Sequence, residues 1–144
     1  MSDPRKDTFF LDTNIFVYSF DISAPDKSRR ANQLIARALS SGKGVVSYQV
    51  IQEFFNVALR RFTQPMKAKE AEEYLKTVFL PLLRVHSSQS LYLNALDLAS
   101  GHRLPWYDSL IVASALQAQC GRLLSEDFQH GRKFETLQIE NPFL

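Results

Sequence analysis

The strongest constraint on how this chain folds is an alternation of short, continuous apolar runs with longer segments of helical spacing. Thr8-Phe9-Phe10-Leu11 is one such run, and it stops at Asp12-Thr13-Asn14. A run this short, ended by turn residues, reads as a buried strand. Gly44-Val45-Val46-Ser47, Leu82-Leu83-Arg84-Val85, Arg122-Leu123-Leu124-Ser125 and Thr136-Leu137-Gln138-Ile139 are read in the same way. Between them, apolar residues recur three and four apart. Asp26 is placed to cap a helix through Ala31, Leu34, Ile35, Ala38 and Leu39, with Gly42 at its end. Ser47 is placed to cap a second helix, which carries Val50, Ile51, Phe54, Phe55, Ala58 and Phe62 on its apolar face and stops at Pro65. A third is expected from Lys67 to Phe79, closed by Pro81, and a fourth from Ser88 to Ala99, ended by Gly101. Leu104-Pro105-Trp106 reads as a connector. Asp108 to Gln119 is apolar almost all round and is expected to be a buried helix ended by Gly121. Strands alternating with helices define an α/β domain. The expectation is one three-layer α/β/α domain over 1–144, with a central, mostly parallel sheet of four to five strands and a flexible stretch at 1–7.

In a parallel sheet, ligands collect beyond the carboxyl ends of the strands, near the point where strand order reverses. The acids are therefore read against that end. Asp12 follows the first strand directly, and Asp127 lies just past the fourth. Glu53 falls in the second turn of the helix after the second strand. Asp108 falls in the first turn of the helix that feeds the fourth. Each has an ordinary explanation alone. Asp12 and Asp108 suit helix caps or dipole partners, Asp127 suits a turn, and Glu53 could pair with Arg60 or Arg61. Glu53 is the hardest to set aside, because it interrupts Val50-Ile51 and Phe54-Phe55 on a largely buried helix, where a carboxylate needs a partner. Together the four acids would repel one another, and a hard divalent cation, Mg²⁺ or Mn²⁺, resolves that repulsion. Such a site suits phosphodiester hydrolysis.

Composition excludes several other classes. The chain has 144 residues, 45% of them hydrophobic and eleven of them Phe, which is enough for a core without staples. A single cysteine, Cys120, precludes an internal disulfide and fits a reducing compartment. No apolar stretch approaches a membrane span and no signal-peptide pattern opens the chain, so a cytoplasmic protein is expected. The net charge of +2 demands no polyanionic partner. Lys27, Arg29 and Arg30, and Arg60, Arg61, Lys67 and Lys69, are either solvated helix faces or a rim of phosphate contacts. His86, His102 and His130 have no ligand spacing. No glycine-rich phosphate loop and no serine nucleophile with a histidine partner is present.

Leu11-Asp12-Thr13-Asn14, Ser47 to Phe54, Trp106-Tyr107-Asp108-Ser109-Leu110-Ile111-Val112-Ala113 and Leu124-Ser125-Glu126-Asp127 together resemble the PIN domain family. Within it the chain is most similar to the VapC-type toxins of prokaryotic toxin–antitoxin pairs, and Asn141-Pro142-Phe143 resembles the ending of one subgroup. Asp-Thr-Asn alone is a weak motif; four motifs in this order on an α/β pattern are specific. The resemblance implies a Mg²⁺- or Mn²⁺-dependent endoribonuclease acting on single-stranded or loop RNA. It carries the acidic positions over onto Asp12, Glu53, Asp108 and Asp127, with Asn14 and Ser125 as supporting polar positions. It also implies a homodimer and a cognate antitoxin as partner. Glu126 stands beside Asp127. Alternation along the chain points Asp127 inward if Ser125 does so.

Two other readings compete. Haloacid-dehalogenase-type phosphatases also begin with a strand ending in Asp, but they require a second acid two residues on, where this chain has Asn14. A PIN scaffold that acts in RNA processing, or that binds RNA or protein without cutting, shares the same motifs.

Overall fold

The computed structural model describes residues 7–144; most of the expected flexible stretch at 1–7 lies outside the described residues. The centre of the sheet is β1 (Phe9–Leu11), buried along its whole length. It pairs in parallel with β2 (Gly44–Ser47) on one side, Phe10 opposite Val45, and with β4 (Arg122–Leu124) on the other, Leu11 opposite Leu124. β3 (Leu83–Val85) extends the sheet beyond β2 and β6 (Leu137–Glu140) beyond β4, again in parallel. β5 (Lys133–Phe134) pairs antiparallel with β6 and closes that side, giving the order β3-β2-β1-β4-β6-β5. The sheet thus has six strands rather than four or five. The additional one, β5, is two residues long, too short to leave a periodic signal. Both edge strands are short, and each carries an exposed basic residue, Arg84 and Lys133. The strand order reverses between β1 and β4, so the crevice at their carboxyl ends lies where such sheets bind ligands.

Helices flank this sheet in the three-layer arrangement expected. The first of them, α1 (Thr13–Tyr18), was not expected: Asp12 is its N-cap as well as the residue that ends β1. Asp-Thr-Asn has the turn chemistry of a strand end and also the cap chemistry of a helix start, and here it does both. α2 (Pro25–Ser41) starts a residue before Asp26, because Pro25 with its fixed φ occupies the first helical position. It ends, as expected, on Gly42 in the left-handed region at φ 70°. Gly44 has a different reason to be glycine: a Cβ there would collide with the side chain and backbone of Ala38, so α2 packs directly on β2.

α3 (Tyr48–Ala58) follows β2 with Ser47 at the N-cap position, but the buried Ser47 hydroxyl makes no cap bond. The helix stops short of Phe62, and Met66 N–H returns to the Ala58 carbonyl at 2.9 Å. The helix expected at Lys67 to Phe79 is instead α4 (Ala68–Tyr74), a π-helical turn over Leu75–Phe79, and α5 (Leu80–Leu82). Pro81 lies inside that last turn rather than beyond it. The Phe54 and Phe79 rings, at 5.1 Å, and the stacked Phe54 and Tyr74 rings, at 5.2 Å, fill the space beneath the π turn. α6 (Gln89–His102) begins on the Ser88 cap, as expected, and ends on Arg103 at φ 55° rather than on Gly101. α7 (Trp106–Gln117) includes the supposed connector residue Trp106 and is buried from Ser109 to Ala115. Gln119 at φ 58°, not Gly121, supplies the left-handed turn after it. No helix of the described residues is long and apolar enough to cross a membrane.

Candidate acidic site

The site is built at the β1–β4 crevice. The last ladder bond of that pair, Asp12 N–H to the Leu124 carbonyl at 3.0 Å, sets Asp12 at the mouth of the sheet. Its side chain is 5% exposed and fully engaged: Thr13 N–H donates to Oδ1 at 2.7 Å and the Ser125 hydroxyl to Oδ2 at 2.7 Å. Ser125 Oγ in turn accepts the Asp127 N–H at 3.0 Å. Ser125 therefore fixes one carboxylate directly and the backbone of a second. The Asn14 side chain lies near the Asp127 carboxylate and works against the rise that burial gives its pKa, while Asn14 Oδ1 is buried with no partner.

The other two acids come from helices. Glu53 accepts from Gln49 Nε2 at 2.7 Å, one turn back on α3, and from Thr13 Oγ1 at 3.4 Å. Gln49 Nε2 also donates to the Tyr107 carbonyl at 3.2 Å. One buried amide thus ties the Glu53 carboxylate to the first turn of α7, which carries Asp108. Neither Arg60 nor Arg61 pairs with Glu53. No described ion pair involves any of the four acids.

The charges of the four acids act on one another. Burial is the largest influence on Asp12 and pushes its carboxyl up to about 7, against the Ser125 and Thr13 bonds, with the charges of Asp127 and Glu53 adding to the rise. Burial also raises Glu53, helped by Asp127 and Asp108, and raises Asp108, helped by Asp127. Asp127, the most open of the four, is raised by partial burial and by the neighbouring Glu126, against the lowering influence of Asn14. Each acid therefore feels at least one other. Among the described residues, no three acids, histidines or cysteines stand as a group that could hold a metal ion as they are placed. The donor set itself, hard oxygens under mutual repulsion with a buried amide oxygen to spare, is of the type a hard divalent cation takes.

Glu126 turns the other way. The Tyr18 hydroxyl donates to its Oε1 at 3.0 Å and Lys27 to its Oε2 at 3.1 Å. Lys27 lies over the Tyr18 ring at 4.6 Å, and Tyr18 meets Phe143 edge-on at 5.1 Å. This locks the β4 exit onto α2 and the C-terminal tail, with Asp127 left as the acid toward the site. The rest of the Lys27–Arg30 cluster is also engaged, Arg29 with Asp26 and Arg30 with the Pro142 carbonyl. Sequence reading gave no role to Gln49 or Thr13. The i, i+4 spacing of Gln49 and Glu53 on one helix was the available signal for the first.

A fold with this strand order and this acidic crevice defines a class, and the family comparison agrees: residues 9–133 match the PIN domain model. The chain belongs to the PIN domain family. No curated protein is a match for it. Among solved structures, it is similar to a toxin–antitoxin complex from Klebsiella pneumoniae, at 17% identity over 94% of this chain and 98% of that one, TM-score 0.65. VapBC2 from Rickettsia felis, bound to a DNA fragment from its promoter, is similar at 19% identity over 92% and 97%, TM-score 0.61. VapC20 of Mycobacterium tuberculosis, described as a toxin that cleaves the sarcin–ricin loop, is similar at 16% identity over 83% and 92%, TM-score 0.57. At these identities the likeness speaks for the fold alone.

Proposed function

We propose that this chain is a Mg²⁺- or Mn²⁺-dependent endoribonuclease that cuts single-stranded or loop RNA, and that it is the toxin of a toxin–antitoxin pair. The observation that carries the reading is the convergence of Asp12, Glu53, Asp108 and Asp127, each pushed toward its protonated form, at the reversal point of a PIN-family sheet. These four residues would hold the ion. When bound, it neutralises their repulsion and supplies Lewis acidity to a phosphodiester. The chain's own contribution is positioning: Ser125 and the Thr13 N–H fix Asp12, Gln49 orients Glu53, and Asn14 steadies Asp127. An antitoxin partner, a homodimer and a cytoplasmic location belong to this reading, which the toxin–antitoxin neighbours support at the level of fold.

The test is cleavage of single-stranded RNA with Mg²⁺ or Mn²⁺. Asp12→Asn should reduce the rate at least about 100-fold while the far-UV spectrum is unchanged. Wild-type cutting by the variant would remove the site. Expression without a partner should arrest growth, and Asp108→Asn should relieve the arrest. An active wild-type protein that leaves growth unaffected would point to RNA processing.

A further inference from the structure

The four carboxylates raise a difficulty for any RNA strand lying across them. Without the ion they repel its phosphates, and in the basic cluster on α2 Lys27 pairs with Glu126 and Arg29 with Asp26. A hold beside the acids that does not depend on charge would add to that of the ion. The first turn of α7 offers it. Trp106 and Tyr107 immediately precede Asp108; Tyr107 is 68% exposed and Trp106 37%. Tyr92, on α6, is 40% exposed, and its ring lies 6.3 Å from that of Trp106 at 32°. Tyr48, at the start of α3, lies near enough to Tyr92 for the two hydroxyls to influence each other: burial raises the Tyr48 pKa, and Tyr92 adds to the rise. The Tyr107 carbonyl takes the bond from Gln49, whose other bond goes to Glu53. This aromatic group is therefore continuous with the acidic site through one side chain.

We propose that Tyr107 and Trp106, backed by Tyr92, form a stacking platform for bases of single-stranded RNA beside the scissile phosphate. The proposal rests on the ribonuclease reading above and adds a binding subsite to it. Exposed rings suit unpaired bases, which present a flat face whatever their sequence. They suit duplex less well, because its bases are stacked on each other. The exposed Leu93 and Leu96 lie on the same helix as Tyr92, and a second copy of the chain is the rival occupant. Neither leucine is linked to the acids, whereas Tyr107 is.

The chain's single tryptophan makes the platform directly visible. An oligouridylate and a chain of equal length lacking bases are titrated against the Asp12→Asn protein with Mg²⁺, following tryptophan emission and Kd. The oligouridylate should quench emission and the base-free chain should not. Tyr107→Ala should weaken oligouridylate binding roughly 5- to 100-fold, and Tyr107→Phe should restore it. Equal binding by Tyr107→Ala, or equal quenching by the base-free chain, overturns the platform. A Tyr107→Ala protein that changes from dimer to monomer with unchanged RNA affinity overturns it in favour of a contact between copies. If the native chain cuts RNA and Tyr107→Ala cuts it equally well, only the platform fails; if the native chain neither cuts nor binds RNA, the ribonuclease reading fails as well.

Discussion

The two halves of the acidic site are held in different ways. On the strand side, Asp12 is placed by a sheet hydrogen bond and gripped by a backbone N–H and a buried hydroxyl, and the same hydroxyl holds the backbone of Asp127. On the helix side, Glu53 and Asp108 sit on two helices joined by the Gln49 amide, and both are partly open. Asp12 is the most buried of the four acids and Asp127 the most open, so burial does not divide the two sides. Asp12 alone bears a desolvation large enough to carry its carboxyl to about 7, and what sets the sides apart is how each is held. The site thus has one wall fixed through the sheet and one held through a single amide.

That contrast can be broken most forcefully through pH. Asp12 has an ordinary carboxyl pKa when unfolded and one near 7 when folded, so the folded protein holds that proton more tightly. Its stabilising contribution is complete below the unfolded value and is lost as pH rises through about 7. In chelator, thermal unfolding should therefore show a fall of a few kcal/mol from pH 5 to pH 8, and Asp12→Asn should flatten it. A slope that survives the substitution would place the strain elsewhere. Ser125→Ala comes next. It removes a bond to a buried carboxyl and leaves the Asp127 N–H without its acceptor, at a cost of about 2 kcal/mol by denaturant unfolding. Because Ser125 lowers the Asp12 pKa, the midpoint of the pH-dependent loss should also move upward. The smallest effect on folding belongs to the helix side. Gln49→Ala should cost no more than about 1 kcal/mol and yet slow RNA cleavage roughly 10- to 100-fold, the usual range for groups that orient metal-site ligands. If it destabilises the fold as much as Ser125→Ala does, the two walls are not different in kind.

Much of this was legible in the sequence because it depends on local order. Phe9-Phe10-Leu11, Val45-Val46 and Leu123-Leu124 are strands because each is a short apolar run between turns, and the acids at their ends follow from chain direction alone. α7 was legible as buried because no polar face interrupts it. Other features depend on packing at a distance. Asp12 ends a strand and starts α1 in one step, which a reading segment by segment divides between a strand and a turn. The π turn at Leu75–Phe79 has no local marker and takes its form among the rings of Phe54, Tyr74 and Phe79. The direction of Glu126 was open until Lys27 and Tyr18, about a hundred residues earlier, met it. Gln49 was passed over because its second partner is a backbone carbonyl, and a carbonyl has no residue type to read.

The edges of the sheet have a consequence for how copies of the chain coexist. β3 offers three residues and β5 two, and Arg84 and Lys133 stand exposed on them. A foreign strand adding to either side would find a ladder too short to hold it and a cation in its path. Along these two described edges, pairing of backbones between copies is therefore disfavoured.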